Sequence, residues 1–219
     1  MNHRMPLAIL ALAVSGLAPS ISVADSGLYL VASYGLTDTS GRKSQADTTI
    51  SNLGVTAFTS TADEKDNGYK LQVGYRFNPY VAVEGGYMDL GRYTYHAVAT
   101  VPAATRDGKG TIDAWNIDVV GRLPVGGQVS LLGKVGAARH QLKFHCDGTG
   151  IACVNPDREA KGTSLHYGIG AEWVFSQSWF ARGEYEVVQK IGDSFNTNGT
   201  SGTSREDLKM GSVGVGYRF

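Results

Sequence analysis

The sequence predicts an all-β fold: an eight-stranded antiparallel up-and-down transmembrane β-barrel over residues 25–219, behind a cleavable leader at residues 1–24. Three observations carry this expectation. Eight segments alternate apolar and polar side chains with period two, which makes each a strand with one greasy and one polar face. Tight and long connections between these segments alternate strictly. Aromatic residues gather near both ends of the strands.

The leader comes first. "MNHRMPLAILALAVSGLAPSISVA" places His3 and Arg4 before an apolar run, Pro6–Val14, and puts Ser22 and Ala24 three back and one back from a cut before Asp25. That is the layout of a secretory signal peptide, and the run is too short to span a bilayer. Cleavage removes one base, Arg4, and no acid from a chain with 20 of each, leaving a net charge of −1. No basic excess points to nucleic acid.

Strand one is Gly27–Leu36, with Leu28, Leu30, Ala32, Tyr34 and Leu36 on one face. Strand two, "NGYKLQVGYRF" (Asn67–Phe77), sets Tyr69, Leu71, Val73, Tyr75 and Phe77 against Lys70, Gln72 and Arg76. Strand three, Tyr80–Leu90, opposes Val81, Val83 and Tyr87 to Glu84. Strand four, Ile112–Leu123, opposes Trp115, Ile117, Val119 and Leu123 to Asn116, Asp118 and Arg122. Strand five, Val129–His140, carries Lys134 on its polar face. Strand six, Ser164–Phe175, opposes Tyr167, Ile169, Ala171, Trp173 and Phe175 to His166 and Glu172. Strand seven, Trp179–Gln189, collects Arg182, Glu184 and Glu186. Strand eight, Leu208–Phe219, aligns Val213, Val215, Tyr217 and Phe219.

Three connections are tight: Asn78–Pro79, Pro124–Gln128 and Ser176–Ser178. Four are long, near 37–66, 91–111, 141–163 and 190–206, and their composition reads as loop. Short turns at one end and long loops at the other fit a barrel embedded in a membrane.

Period two alone leaves open which face points inward. Two aromatic belts, one with Tyr75, Phe77, Phe175, Trp179, Tyr217 and Phe219, the other with Tyr34, Tyr69, Tyr87, Trp115, Tyr167 and Tyr185, match the two interfaces of a bilayer. The polar faces carry acids and bases in near-equal number, as a closed, self-neutralising lumen needs. Many inward positions are glycine, which makes room for long charged neighbours. The greasy faces therefore look at lipid and Lys70, Gln72 and Arg76 look inward. The competing fold, a soluble exported β-barrel with an apolar ligand inside, inverts these faces and exposes the ions to water.

Cys146 and Cys153 lie in "HCDGTGIACVNPD", read as a loop, and one disulfide closing it is the favoured arrangement in an exported chain. Such a bridge contributes about 2–3 kcal/mol. Adding His140 and His145 would make a two-His, two-Cys zinc site, but the cysteine spacing is wider than usual for one. Neither a metal nor a cofactor is expected. The candidate catalytic groups are His140, His145 and His166 with nearby Ser164; Ser164 and His166 share a face of strand six, so contact is conceivable, yet no hydrolase signature surrounds them.

"VGYRF" occurs at Val73–Phe77 and again at Val215–Phe219, where the sequence stops. With "GYKLQVGYRFNPYVAVEGGYMDLGRY", "VVGRLPV", "SLLGKVGAAR", "YGIGAEWVF" and "WFARGEYEVV", the chain resembles the OmpA-like transmembrane barrel family of Gram-negative outer membranes across nearly its whole mature length. The resemblance implies a cell outer-membrane location, contact with outer-membrane lipid, and insertion by the outer-membrane assembly machinery. Phe219, with Tyr217 on the same face, would be the assembly signal. It also implies a lumenal ion-pair network that plugs and gates the barrel, matched here by Glu84, Lys134, Arg182 and Glu184, with Glu172 and Asp118 beside them. The cell-wall-binding domain that follows some family barrels is not expected. The functional expectation is a non-enzymatic barrel with a structural or surface-interaction role through four long extracellular loops that could hold a surface ligand. The alternative is a narrow small-ion or solute pore gated by the lumenal ion pairs.

Overall fold

The computed structural model describes residues 26–52, 54–55, 57–100, 103–150, 157–191, 194–197, 200–203 and 206–219. The expected leader and Cys153 lie outside them. The elements run β1 (Gly27–Asp38), α1 (Arg42–Asn52), β2 (Phe58–Asp63), β3 (Lys65–Asn78), β4 (Val81–Thr100), β5 (Ala103–Gly126), β6 (Val129–Thr149), β7 (Asp157–Val174), β8 (Trp179–Ile191), β9 (Ser194–Thr197), β10 (Thr200–Thr203) and β11 (Glu206–Arg218).

Eight strands form an antiparallel ring in the order β1, β3, β4, β5, β6, β7, β8, β11. The last strand pairs with the first, Tyr29 opposite Arg218 and Ser33 opposite Gly214, so the sheet has no edge at this level. That closure is what lipid requires, because hydrocarbon offers no partner to an unpaired N–H or C=O. At the tight-turn end the Asn78 side chain accepts the N–H groups of Tyr80 and Val81 at 2.8 and 2.9 Å, which fixes the β3–β4 turn.

The two faces divide as the alternation implies. Ile117 and Val213 are 63% and 71% exposed on the outside, whereas Lys70, Glu84 and Glu172 are 2%, 0% and 1% exposed on the inside. Rings pack along the outer wall at both ends: Trp179, Tyr217 and Phe219 follow one another edge to face near the tight turns, and Tyr87 meets Trp115 near the other end. Two glycines are spatial necessities. A Cβ on Gly74 would collide with the Tyr29 ring, and one on Gly216 with the Phe180 ring. Each ring lies across its directly paired glycine, Tyr29 opposite Gly74 and Phe180 opposite Gly216, a pairing that covers glycine backbone and pins register.

The long connections correct the sequence reading. Two of the four are largely strand. β4 continues to Thr100 and β5 begins at Ala103, paired down to Thr100 opposite Ala103. β6 continues through Thr149 and β7 begins at Asp157, so His145–Thr149, read as loop, extends a strand. The connection after β1 holds α1 and β2, and β2 pairs with the upper part of β4. The connection after β8 holds the small β9–β10 hairpin.

The physical reason lies at Gly91. Asp89 faces Asp113 while Arg92 faces Thr111, so β4 carries one extra residue there, and Gly91 takes φ +80°. A bulge of one residue exchanges the two faces of a strand. Below it, Glu84, Met88 and Leu90 point in; above it, Tyr93, Tyr95, Ala97 and Ala99 point in, while Arg92, Thr94 and His96 point out. In β6 the parity never changes but the residues do: Lys134 is inward below, and Leu142 and Cys146 are inward above, with Lys143 and His145 outside. Above the membrane the sheet has the polarity of a water-soluble protein.

Candidate functional site

The lumen is filled in tiers. At the tight-turn end, Glu172 on β7 accepts from four guanidinium groups: Arg122 at 2.6 Å, Arg218 at 2.8 Å, Arg182 at 3.1 Å and Arg76 at 3.3 Å. They come from β5, β11, β8 and β3, and only closure of the ring brings them together. Arg182 is shared, donating also to Glu84, which accepts from the Tyr29 hydroxyl at 2.6 Å and Lys134 at 3.3 Å. The Arg182 guanidinium lies 5.6 Å from the centre of the Tyr29 ring and 5.4 Å from that of Phe180, within cation–π range.

One tier higher, Lys134 lies 2.5 Å from Glu184 and 3.0 Å from Glu186. Lys70 lies 2.9 Å from Glu184 and also donates to Glu186. His166 Nδ1 meets Asp118 at 2.9 Å, and Asn116 donates to the same carboxylate at 2.5 Å. His166 Nε2 stands 3.5 Å from Glu186, a charge contact without a hydrogen bond. Burying this many charges is tolerable only because each has partners.

Glu84, Asp118, Lys134, Glu172, Arg182 and Glu184, singled out from the sequence, thus all lie in one connected set of contacts. Six further ionisable members were on the polar faces but not named with them: Lys70, Arg76, Arg122, His166, Glu186 and Arg218. Tyr29 was missed altogether. Its signal was available, since it is the aromatic residue of inward parity in strand one.

Above the ions the lumen turns apolar. Met88, Leu90, Tyr93, Ile112, Ala114, Ala138, Leu142, Ala160, Val188, Ile191, Leu208 and Met210 form one buried cluster, with Phe144 against it. Over that cluster lies α1. Ile50 and Ala46 pack among Tyr95, Ala97, Ala99 and Ala104 of β4 and β5. At its other end, Arg42 donates to the Ile191 carbonyl at 3.3 Å, and Gln45 bonds Glu206. The helix start is held by Glu64, which accepts the N–H groups of Gly41 and Lys43 at 3.0 and 2.8 Å, donors that no helical carbonyl can reach.

The other candidates separate. His140 points inward and takes Ser164 as neighbour at 3.3 Å, while His145 points outward between Asp157 at 2.6 Å and Asp147 at 2.8 Å. The two histidines therefore lie on opposite faces of β6 and do not share a zinc site. Among the described residues no three His, Cys, Asp or Glu groups are placed to hold a metal ion. Ser164 sits against His140, not His166, and His166 instead meets Asp118. Asp157 first, then Asp147, holds the His145 imidazolium and raises its pKa above the ordinary histidine value. Cys146 is buried, and no described cysteine is a free thiol.

A family model described as the outer membrane protein beta-barrel domain matches residues 7–219. The chain belongs to that family. It lies in the outer membrane, and its resemblance to OmpA-like barrels is matched by curated relatives. Outer membrane protein A of Klebsiella pneumoniae is 31% identical over 150 residues, which cover 67% of this chain and 39% of that protein. The namesake from Escherichia fergusonii is 32% identical over 150 residues, 67% of this chain and 38% of that protein. The chain thus spans less than two fifths of the length of these relatives. Among solved structures, Neisserial surface protein A superposes with a TM-score of 0.53 at 13% identity, covering 90% of this chain and 100% of that one. OprG from Pseudomonas aeruginosa gives 0.52 at 13% identity, covering 91% and 99%. At such identities these two show the barrel fold alone.

Proposed function

We propose that this outer-membrane barrel is non-enzymatic and works through the surface it raises above the membrane, in a structural or surface-interaction role. The observation that supports this is the closure of the lumen. An apolar layer crosses it above the ion pairs, and α1 bridges the mouth from β4 and β5 to the ends of β8 and β11. Among the described residues, the closed lumen leaves the outer face of the β4–β7 extension to meet a partner, strand in place of the loops expected there. Replacing residues 94–107 by a two-residue turn tests the reading. The barrel should still insert and run as a heat-modifiable band, while binding of cells to host or abiotic surfaces should fall. Unchanged binding in every assay would leave only a structural role.

A second reading is a narrow small-ion or solute pore gated by Glu84, Lys134, Arg182 and Glu184. Lys134 already reaches three carboxylates and Arg182 is shared between Glu84 and Glu172, so partner exchange needs little movement. Planar-bilayer recordings separate the two readings. Silence is expected; a conductance that changes on Arg182→Ala would sink the closed lumen.

Three accessory features belong to the same reading. Residues 1–24 act as a cleaved leader, checked by sequencing the mature amino terminus. Cys146 and Cys153 are bridged, checked by the mass gained on alkylation with and without reductant. Phe219, with Tyr217, is read by the assembly machinery, checked by the loss of insertion on deleting Phe219.

A further inference from the structure

The charges of the lumen are sorted along its axis. At the tight-turn end Arg76, Arg122, Arg182 and Arg218 converge on the single carboxylate of Glu172. One tier up, Lys70, Lys134 and the shared Arg182 face Glu84, Glu184 and Glu186, with His166 on Asp118, so the excess of bases over acids is confined to Arg76, Arg122 and Arg218 around Glu172. The periplasmic mouth of the barrel therefore carries buried positive charge that its own carboxylate does not neutralise. Burial of such charge is costly unless it is paired.

A second, independent observation comes from hydrogen bonding. Each of these guanidinium groups spends an Nη on Glu172, yet the Nε of all four, and Nη1 of Arg218, are buried with no partner. Arg76, Arg122 and Arg218 are each more than nine-tenths buried. Buried N–H donors are almost always satisfied, and a guanidinium left unsatisfied forfeits several kinds of charge-assisted bond at once. Beside them stand Ala82, paired with Arg76, Ser130, whose hydroxyl lies 3.5 Å from Arg122, and the Tyr29 and Phe180 rings, whose centres are 5.7 Å from the Arg76 guanidinium and 5.1 Å from that of Arg218.

We propose that the periplasmic mouth of the lumen binds a small inorganic anion of chloride's size among the guanidinium groups of Arg76, Arg122 and Arg218. The anion takes the unpartnered N–H donors and supplies the charge that Glu172 lacks. An eight-stranded barrel leaves an interior just wide enough for side chains, which favours chloride over a larger oxyanion. The site is a property of the filled lumen and stands whether or not ions ever cross it.

The experiment uses the mature, refolded barrel in detergent micelles, labelled for observation of arginine Nε–Hε resonances. Chloride is exchanged for gluconate, an anion too large to enter, at constant ionic strength. The expected result is a saturating shift of arginine side-chain signals with chloride. Arg218→Gln, at the rim, should weaken the apparent affinity about tenfold, the loss of one charged hydrogen bond, while the folded band on an unheated gel persists. A shift that does not saturate, or that Arg218→Gln leaves unchanged, overturns the proposal. If the variant fails to fold, crystals of the unaltered protein grown in bromide decide: an anomalous peak beside the Arg76, Arg122 or Arg218 guanidinium supports the site, and its absence overturns it.

Discussion

The lower and upper halves of β4 to β7 are one continuous sheet under opposite rules. In the membrane, Ile117 and Val119 face out and Asp118 and Lys134 face in; above it, Lys109, Lys143 and His145 face out and Ile112, Leu142 and Ala160 face in. The backbone is indifferent to the change, because ladder bonds are the same in both solvents. The solvent outside decides which side chains can be shown to it. β4 makes the switch with a bulge at Gly91, while β6 makes it by changing residues at constant parity. A strand therefore crosses an interface either by geometry or by composition.

The largest break in this comparison is Glu172→Ala. It leaves four buried guanidinium groups around no carboxylate, and removing one partner of a buried pair costs about 3–5 kcal/mol. We expect loss of the folded, heat-modifiable band in urea titrations, while Asp107→Ala on the exposed extension stays within about 0.5 kcal/mol. Next, Val119→Arg on the lipid face should cost about 2–4 kcal/mol in vesicles, whereas Thr94→Arg, outward on the extension, should cost nearly nothing. Equal costs would erase the distinction between the halves. Deleting Gly91 removes the bulge and turns Tyr93 and Tyr95 outward. The expected outcome is rapid protease cleavage between 92 and 109 with the membrane half intact; a resistant extension would show that β4 reverses its faces in some other way.

The smallest effect concerns His145, whose two ring nitrogens both donate, to Asp157 and Asp147, as only the imidazolium can. Its folded pKa is raised. The stabilisation is therefore complete below the unfolded value of about 6.5 and fades as pH rises through the raised value. Amide exchange in residues 141–145 and 157–161, corrected for intrinsic rates, should quicken across that window, and His145→Gln should flatten the dependence. A wild-type profile without pH dependence would remove the pair from the account.

Much of the membrane half was legible because period two and side-chain polarity speak together there. Tyr69 to Phe77 could only have one face in oil, and the tight turns fixed which strands are neighbours. The convergence on Glu172 was not legible. Arg76, Arg122 and Arg218 come from three strands far apart in sequence, and no local pattern says which acid a lumenal base will meet once the ring closes. The extension was misread as loop for a different reason. Tyr93, Tyr95, Ala97 and Ala99 do alternate, but out of phase with Glu84 and Met88, and Gly91 hides the phase change. In β6 and β7 the polar residues of "HCDG" and "DREAKG" look like turn formers, although "HCDG" pairs with β5 and "DREAKG" with β6.

The helix α1 imposes a sequence of events. Its Arg42 needs the carbonyl of Ile191, and Gln45 needs Glu206, both near the carboxy-terminal end of the chain. The segment that covers the opening is contributed early but can be latched only after the final hairpin has arrived. The lid is therefore a consequence of ring closure, its two fastenings joining residues 149 and 161 positions apart in the chain.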